Sequence, residues 1–173
     1  MLQRCYDFKF KNKYPTYKDV TCCKDWLLFD NFYEWINSQE NFDKWLKGDR
    51  WELDKDIIVK YNKVYAPDTC CLVSPKINCL FTKCNIVRGD YPIGVTYDKK
   101  SMRYEARISI SNNRNCKSRS QGKYATPEDA FYIGYKPYKE KYIKQVAQEE
   151  YDKGNITKRC YDAMMNYKVE ITD

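Results

Sequence analysis

The stretch Gly94–Ile110, GVTYDKKSMRYEARISI, decides how the second half of the chain folds. In it Arg103, Glu105, Arg107 and Ser109 alternate with Tyr104, Ala106, Ile108 and Ile110. A strand places successive side chains on opposite faces, so the polar set shares one face and the apolar set the other. Working outward, residues 92–97, 103–111 and 115–124 all alternate in this way, with turns at 99–102 and 112–114, which predicts three antiparallel strands. Thr126-Pro127-Glu128-Asp129 then supplies a capping hydroxyl, a proline suited to the first helical position and two acids at the positive end of the dipole. The helix is expected to run to about Tyr151, with Gly134 and Pro137 as points of breakage or kinking. Gly154-Asn155 ends it, and 156–167 forms a short last helix before the tail VEITD.

The formal net charge is +7, and the segment Lys99–Lys123 accounts for all of it. Lys99, Lys100, Arg103, Arg107, Arg114, Lys117, Arg119 and Lys123 stand there against Glu105 alone. A basic stripe beside aromatic residues is the electrostatic footprint of phosphate-backbone binding. A solvated lysine-rich hairpin would have the same composition.

Other features exclude whole classes of function. Nine cysteines, an odd number, in a chain that opens MLQRCYDFKF without an apolar leader argue against a secreted disulfide scaffold. A reducing, cytoplasmic compartment is expected. No run of apolar residues approaches a membrane span. Histidine is absent, which rules out a serine or cysteine nucleophile with a histidine partner, and no glycine-rich phosphate loop is present. Cys22-Cys23 and Cys70-Cys71 are adjacent pairs and Cys79 and Cys84 are five apart, so no C-x2-C knuckle speaks for zinc. Buried reduced thiols filling a small core are the expectation.

In the first half, Trp26, Phe29, Phe32, Tyr33, Trp35, Ile36, Phe42, Trp45 and Leu46 recur at helical spacing and predict one or two short amphipathic helices. Residues 52–59 read as a strand, 60–63 as a turn and 64–66 as a returning strand. Pro67-Asp68 then opens a helix or helical turn that carries 70–81. Residues 83–91 read as a linker, giving an α+β chain with one unit over 1–88 and another over 89–173.

GVTYDKKSMRYEARISI and TPEDAFYIGYKPYKEKYI together resemble the Apetala/ethylene-response-factor type DNA-binding domain, in the form appended to phage homing endonucleases. The resemblance implies a three-stranded sheet set into the major groove of double-stranded DNA, with a helix packed behind it. Its contact candidates here are Tyr97, Lys99, Lys100, Arg103, Glu105, Arg107, Arg114, Lys117 and Arg119. Two arginines on one face can offer bidentate contacts to guanine edges or phosphates. SISNNRNCKSRSQGKYAT is longer than the usual second hairpin, which leaves the register open there.

TYKDVTCCKDWLLFDNFYEWI and WELDKDIIVKYNKVYAPDTCCLVSPKIN resemble the central part of phage HNH-type endonucleases, with MLQRCY as the tail of a longer family segment. That family implies an HNH-like ββα unit holding one divalent cation, Mg2+ or Mn2+, at a phosphodiester. Asp54, Asp56, Asn62, Asp68 and Asn78 supply oxygens, with Asp54 and Asn78 as metal candidates and Asp56 and Asn62 as orienting or ligand groups. Lys55 stands where the family motif carries its general-base histidine, and a lysine of ordinary pKa, about 10.4, is a poor base at neutral pH. The alternative for Asp54 and Asp56 is a strand-edge pair making turn hydrogen bonds and salt bridges with Lys60 or Lys63. Three functions stay open at this point: a metal-dependent nuclease, a DNA binder with a decayed nuclease fold, and a phage-encoded inhibitor or adaptor that binds a host protein in the host cytoplasm. The oligomeric state is not encoded in any of these features.

Overall fold

The computed structural model describes residues 1–48, 50–82, 90–112 and 115–173, with the side chains of 111–117 left aside. The chain is α+β and divides into two units, Met1–Pro75 with Glu150–Met164, and Lys76–Glu149 with Met165–Asp173. Glu150–Met164 thus groups with the N-terminal residues. The expected linker lies, over 83–89, outside the described residues. Among the described residues no helix is long and apolar enough to cross a membrane.

In the first unit, α1 (Leu2–Tyr6) and α2 (Phe8–Lys13) are separated by Asp7, whose side chain caps α2 by accepting from the Phe10 amide at 2.8 Å. β1 (Thr21–Cys22) leads through a 3-10 turn at Asp25–Leu27 to α3 (Phe29–Asn37) and α4 (Phe42–Leu46). The helical spacing is borne out here: Trp26 is buried between Phe32 and Trp35, with ring centroids 5.2 and 4.6 Å away. One core cluster joins Cys5, Val20, Cys22, Trp26, Tyr65 and Cys70, and a second joins Ile36, Phe42, Trp51 and Leu72.

The strands of this unit differ from expectation. β2 covers only Glu52–Asp54, because the Asp54 carboxylate takes up the amides of Asp56 and Ile57, which then cannot join a ladder. β3 (Val64–Tyr65) does not return along β2 and pairs in parallel with β1, Thr21 opposite Val64 and Cys22 opposite Tyr65. The antiparallel partner of β2 is β4 (Cys71–Val73), in a stretch read as helical, with Glu52 opposite Val73 and Asp54 opposite Cys71. All three residues of β4 are buried, as suits a strand covered on both faces. A short apolar run such as this cannot be told from a buried helix by periodicity. The helix α5 (Pro75–Phe81) starts only at Pro75, where a missing amide hydrogen costs nothing.

The second unit follows expectation closely. β5 (Val95–Asp98), β6 (Arg103–Asn112) and β7 (Asn115–Tyr124) form an antiparallel sheet in that order. The Thr126 hydroxyl accepts from the Asp129 amide at 3.1 Å, and so caps α6 (Pro127–Asp129). The chain then widens into a π-helical stretch, Ala130–Tyr135, before α7 (Lys136–Asp152). Pro137 stands near the start of α7, directly after that wide turn, so it marks the irregularity without ending the helix. Val95, Ala106 and Ile108 are buried, as are Ala130, Phe131, Gly134 and Tyr135 of the π stretch, which packs on β6 and β7. The tail is tied to α7 by Lys136, which donates to the Val169 carbonyl at 2.6 Å, and by the Val169 amide on Glu140 at 2.9 Å. The last helix, α8 (Lys158–Met165), groups through Met164 with the first unit and buries Cys160 and Met164.

Candidate nucleic-acid interface

One face of the β5–β6–β7 sheet is committed to the core and the other is open. In the ladder Val95 lies opposite Ala106, Thr96 opposite Glu105, Tyr97 opposite Tyr104 and Asp98 opposite Arg103. Alternation therefore groups Tyr97 with the core-facing set, and its ring meets Tyr104 at 5.1 Å. Tyr97 is thus away from the face that carries Arg103, Glu105 and Arg107. Lys99 and Lys100 are exposed in the turn between β5 and β6.

A β-bulge decides what β7 contributes. Glu105 pairs with Lys123 and Arg107 with Ser120, so Gln121 and Gly122 together oppose Ala106, with Gly122 at φ +120°. Beyond the bulge the parity of β7 reverses. Ser120 and Ser118 join the open face beside Arg107 and Ser109, whereas Arg119 pairs with buried Ile108 and stands on the other face. Lys117 pairs with Ile110, its side chain lying outside the described set, and Arg114 lies outside the described residues altogether. The residues missing from the contact candidates are Thr96, Ser118, Ser120 and Lys123, the last named only in the basic stripe. The signal for Ser118 and Ser120 was Gly122 inside a strand pattern, which marks a bulge.

The two carboxylates of this face are both in use. Asp98 accepts from Lys123, from the Ser101 hydroxyl at 2.7 Å and from the Lys100 amide at 3.0 Å. These bonds, that of Lys123 first, hold its carboxyl well below the usual range. They also fix the turn that presents Lys99 and Lys100. Glu105 is held below its ordinary pKa by the Ser120 hydroxyl first and by Arg107 next. Arg107 donates from Nη1 to Glu105 at 3.0 Å and from Nε to the Ser118 hydroxyl at 3.1 Å, so its guanidinium is oriented while remaining exposed. Arg103, Lys99 and Lys100 make no ion pair among the described residues. Five exposed cations thus share the face and its adjoining turn with two neutralised acids.

The candidates of the first unit gather into a closed turn. Asp54 Oδ1 accepts from the amides of Asp56 at 2.7 Å and Ile57 at 2.8 Å. Lys55, only 7% exposed, donates from Nζ to both Asp56 oxygens at 2.7 and 2.8 Å and to the Asn62 carbonyl at 2.9 Å. Asn62 returns Nδ2 bonds to the carbonyls of Lys55 and Val64, and its Oδ1 accepts from the Val64 amide at 3.1 Å. Burial raises the Asp54 carboxyl above its ordinary value. Asn78 is half-buried on α5 and falls in the second unit, and its carbonyl accepts from the Thr82 hydroxyl. Of the oxygens that the sequence offers to Mg2+ or Mn2+, those of Asp54, Asp56 and Asn62 are engaged in building this turn, and the two metal candidates, Asp54 and Asn78, fall in different units. Lys55 spends its N–H bonds on Asp56 and Asn62. Asp68 contributes its backbone carbonyl to Arg159. Among the described residues no group of three or more Cys, Asp or Glu side chains gathers to hold a metal ion.

Five of the described thiols behave as core groups, while Cys23 is half-buried and Cys79 exposed. Cys5, Cys22, Cys70, Cys71 and Cys160 are buried and unbridged. Burial pushes the Cys70 thiol up to about 12, and the neighbouring Cys160 thiol, together with burial, raises Cys71 well above its ordinary value.

Comparison with protein-family models, with curated proteins and with solved structures gives no match. The functional reading therefore rests on the chemistry of these residues.

Proposed function

We propose that the chain binds double-stranded DNA through the open face of the three-stranded sheet, and that it does so without cutting. The observation that carries the reading is the exposure of Arg103, Arg107 and Lys123 on one face, beside Lys99 and Lys100, while the apolar residues of the same strands pack under the helical stretch. Such an array neutralises several phosphates and releases their counterions on binding. Arg107, oriented by Glu105 and Ser118, is preorganised for a fork-like contact with a phosphate or a guanine edge. The closed turn around Asp54 and Lys55 supports the non-cutting half of the reading, since its polar atoms serve the fold.

The test is a mobility-shift titration of a short duplex with the full chain. The wild type retards the duplex, and Arg103→Ala with Arg107→Ala weakens binding about tenfold or more, in line with the loss of two charge-assisted contacts. Plasmid incubated with Mg2+ or Mn2+ stays uncut. Nicking that disappears in Asp54→Ala would overturn the second half of the proposal, and unchanged affinity in the double variant would overturn the first.

A further inference from the structure

A second surface, wholly within the first unit, has chemistry opposite to that of the sheet. Between Asp25 and Asp43 the sequence holds five acids, Asp25, Asp30, Glu34, Glu40 and Asp43, and no lysine or arginine. On α3 the core side is formed by Phe32, Trp35 and Ile36, while Phe29 and Tyr33 lie outside it, their rings stacked at 5.9 Å. Tyr33 meets the buried Phe42 ring edge-on at 6.2 Å and Phe42 stacks on Trp45 at 5.9 Å, so the exposed rings of α3 and α4 are anchored on one core ring. Phe29 is 72% exposed, and Leu28 and Leu46 are also more than half exposed.

The acids flank these rings. Asp30 and Glu34 are four apart on the next ridge of α3, and Asp43 follows Phe42 on α4. Lys44, the one base on α4, turns inward: its amine bonds Asn155 Oδ1 and lies 5.5 Å from the Trp51 ring. Asp30, Glu34, Glu40 and Asp43 form no ion pair among the described residues. Exposed apolar side chains beside a rim in which acids outnumber bases, here Asp25, Asp30, Glu34, Glu40 and Asp43 against Lys24 and Lys47, mark an interaction surface, and the sign of the excess states the partner.

We infer that the α3–α4 face docks a basic amphipathic helix of a protein partner. The apolar side of that helix covers Phe29, Tyr33, Trp45 and Leu46, and its lysines or arginines meet Asp30, Glu34 and Asp43. A second copy offering the same face would set acid against acid, and nucleic acid or an anionic bilayer is repelled by the same rim. This inference stands independently of the DNA reading, because it uses none of the sheet residues.

The experiment titrates the full chain into a fluorescent synthetic helix of leucine and arginine, and into its twin with glutamate in place of arginine, read by anisotropy. The arginine helix binds and the glutamate twin does not. Phe29→Ser with Tyr33→Ser, and separately Asp30→Lys with Glu34→Lys, each weaken binding about tenfold or more, as expected for loss of central aromatic or paired charged anchors. Arg103→Ala with Arg107→Ala leaves it unchanged, and thermal unfolding shows that the exposed-face variants stay folded. The charge-reversed variant gains affinity for the glutamate twin. Equal binding of the two helices, no binding of either, or indifference to the face variants overturns the inference. So does sedimentation showing a dimer that Phe29→Ser abolishes, since the face then belongs to a second copy.

Discussion

Gly134 rests directly on Ala106, so that a β-carbon at 134 would come 2.6 Å from the Ala106 Cβ and 2.6 Å from the Tyr124 ring. Here the helical stretch lies directly against the sheet, and only the missing side chain permits it. In an exposed helix, Gly→Ala gains up to about 1 kcal/mol from propensity. Here overpacking, typically about 1–3 kcal/mol, acts in the opposite direction. Gly134→Ala is expected to destabilise the chain by about 2 kcal/mol in urea unfolding; a neutral or stabilised variant would show that the stretch can lift off the sheet.

Asp54 separates a turn-forming role from a ligand role. Asp54→Ala leaves two amides without their acceptor and is expected to cost about 1–2 kcal/mol, whereas Asp54→Asn keeps an Oδ1 acceptor and costs little. The pH dependence follows from the raised carboxyl. The folded chain holds this proton more tightly than the unfolded one, so stability is lost as pH rises from the ordinary carboxylate value through the raised one. Denaturation of wild type and Asp54→Asn across that window checks this: the wild type should lose ground to the variant with rising pH.

Lys139 is only 8% exposed, and burial lowers its pKa from 10.5 to about 8, with Cys79 acting in the opposite direction. Between about 8 and 10.5 the folded state is neutral at this site while the unfolded state takes up a proton. This group's contribution therefore rises as pH climbs through that window, and below about 8 the buried ammonium is carried at a cost. Lys139→Met is expected to raise stability at neutral pH by about 1–3 kcal/mol and to flatten the alkaline rise, measured by urea unfolding against pH. A destabilised variant would mean that the amine has a partner when folded.

The second unit was legible in the sequence because its local signals agree. Alternation through Ala106 and Ile108, the Thr126 cap and Pro127 each specify the same elements. The charged face was legible to the same extent on β6, where parity alone assigns Arg103 and Arg107. It failed on β7 because the bulge at Gln121–Gly122 reverses parity, and only strand pairing reveals which residues oppose Ala106. That reversal carries Arg119 to the other face and brings in Ser118 and Ser120, while Lys123 keeps its place opposite Glu105. In the first unit, strands of two or three residues carry too little period to read, and the parallel pairing of Thr21–Cys22 with Val64–Tyr65 joins segments distant in sequence. Lys55 was read from its place in a motif; its burial between Asp56, Asn62 and Tyr65 is a property of the turn.

The claim on which the rest depends is that one face of the sheet, and not basic charge in general, meets DNA. Arg103→Ala with Arg107→Ala and Arg119→Ala allow the two faces to be compared, since Arg119 lies on the opposite side in register. The decisive measurement is the slope of log binding constant against log salt for a short duplex. Removing Arg103 and Arg107 should reduce its magnitude by about 1–2, near 0.9 per lost phosphate contact, while Arg119→Ala leaves it close to wild type. Equal reductions from both faces, or none from either, would contradict the account.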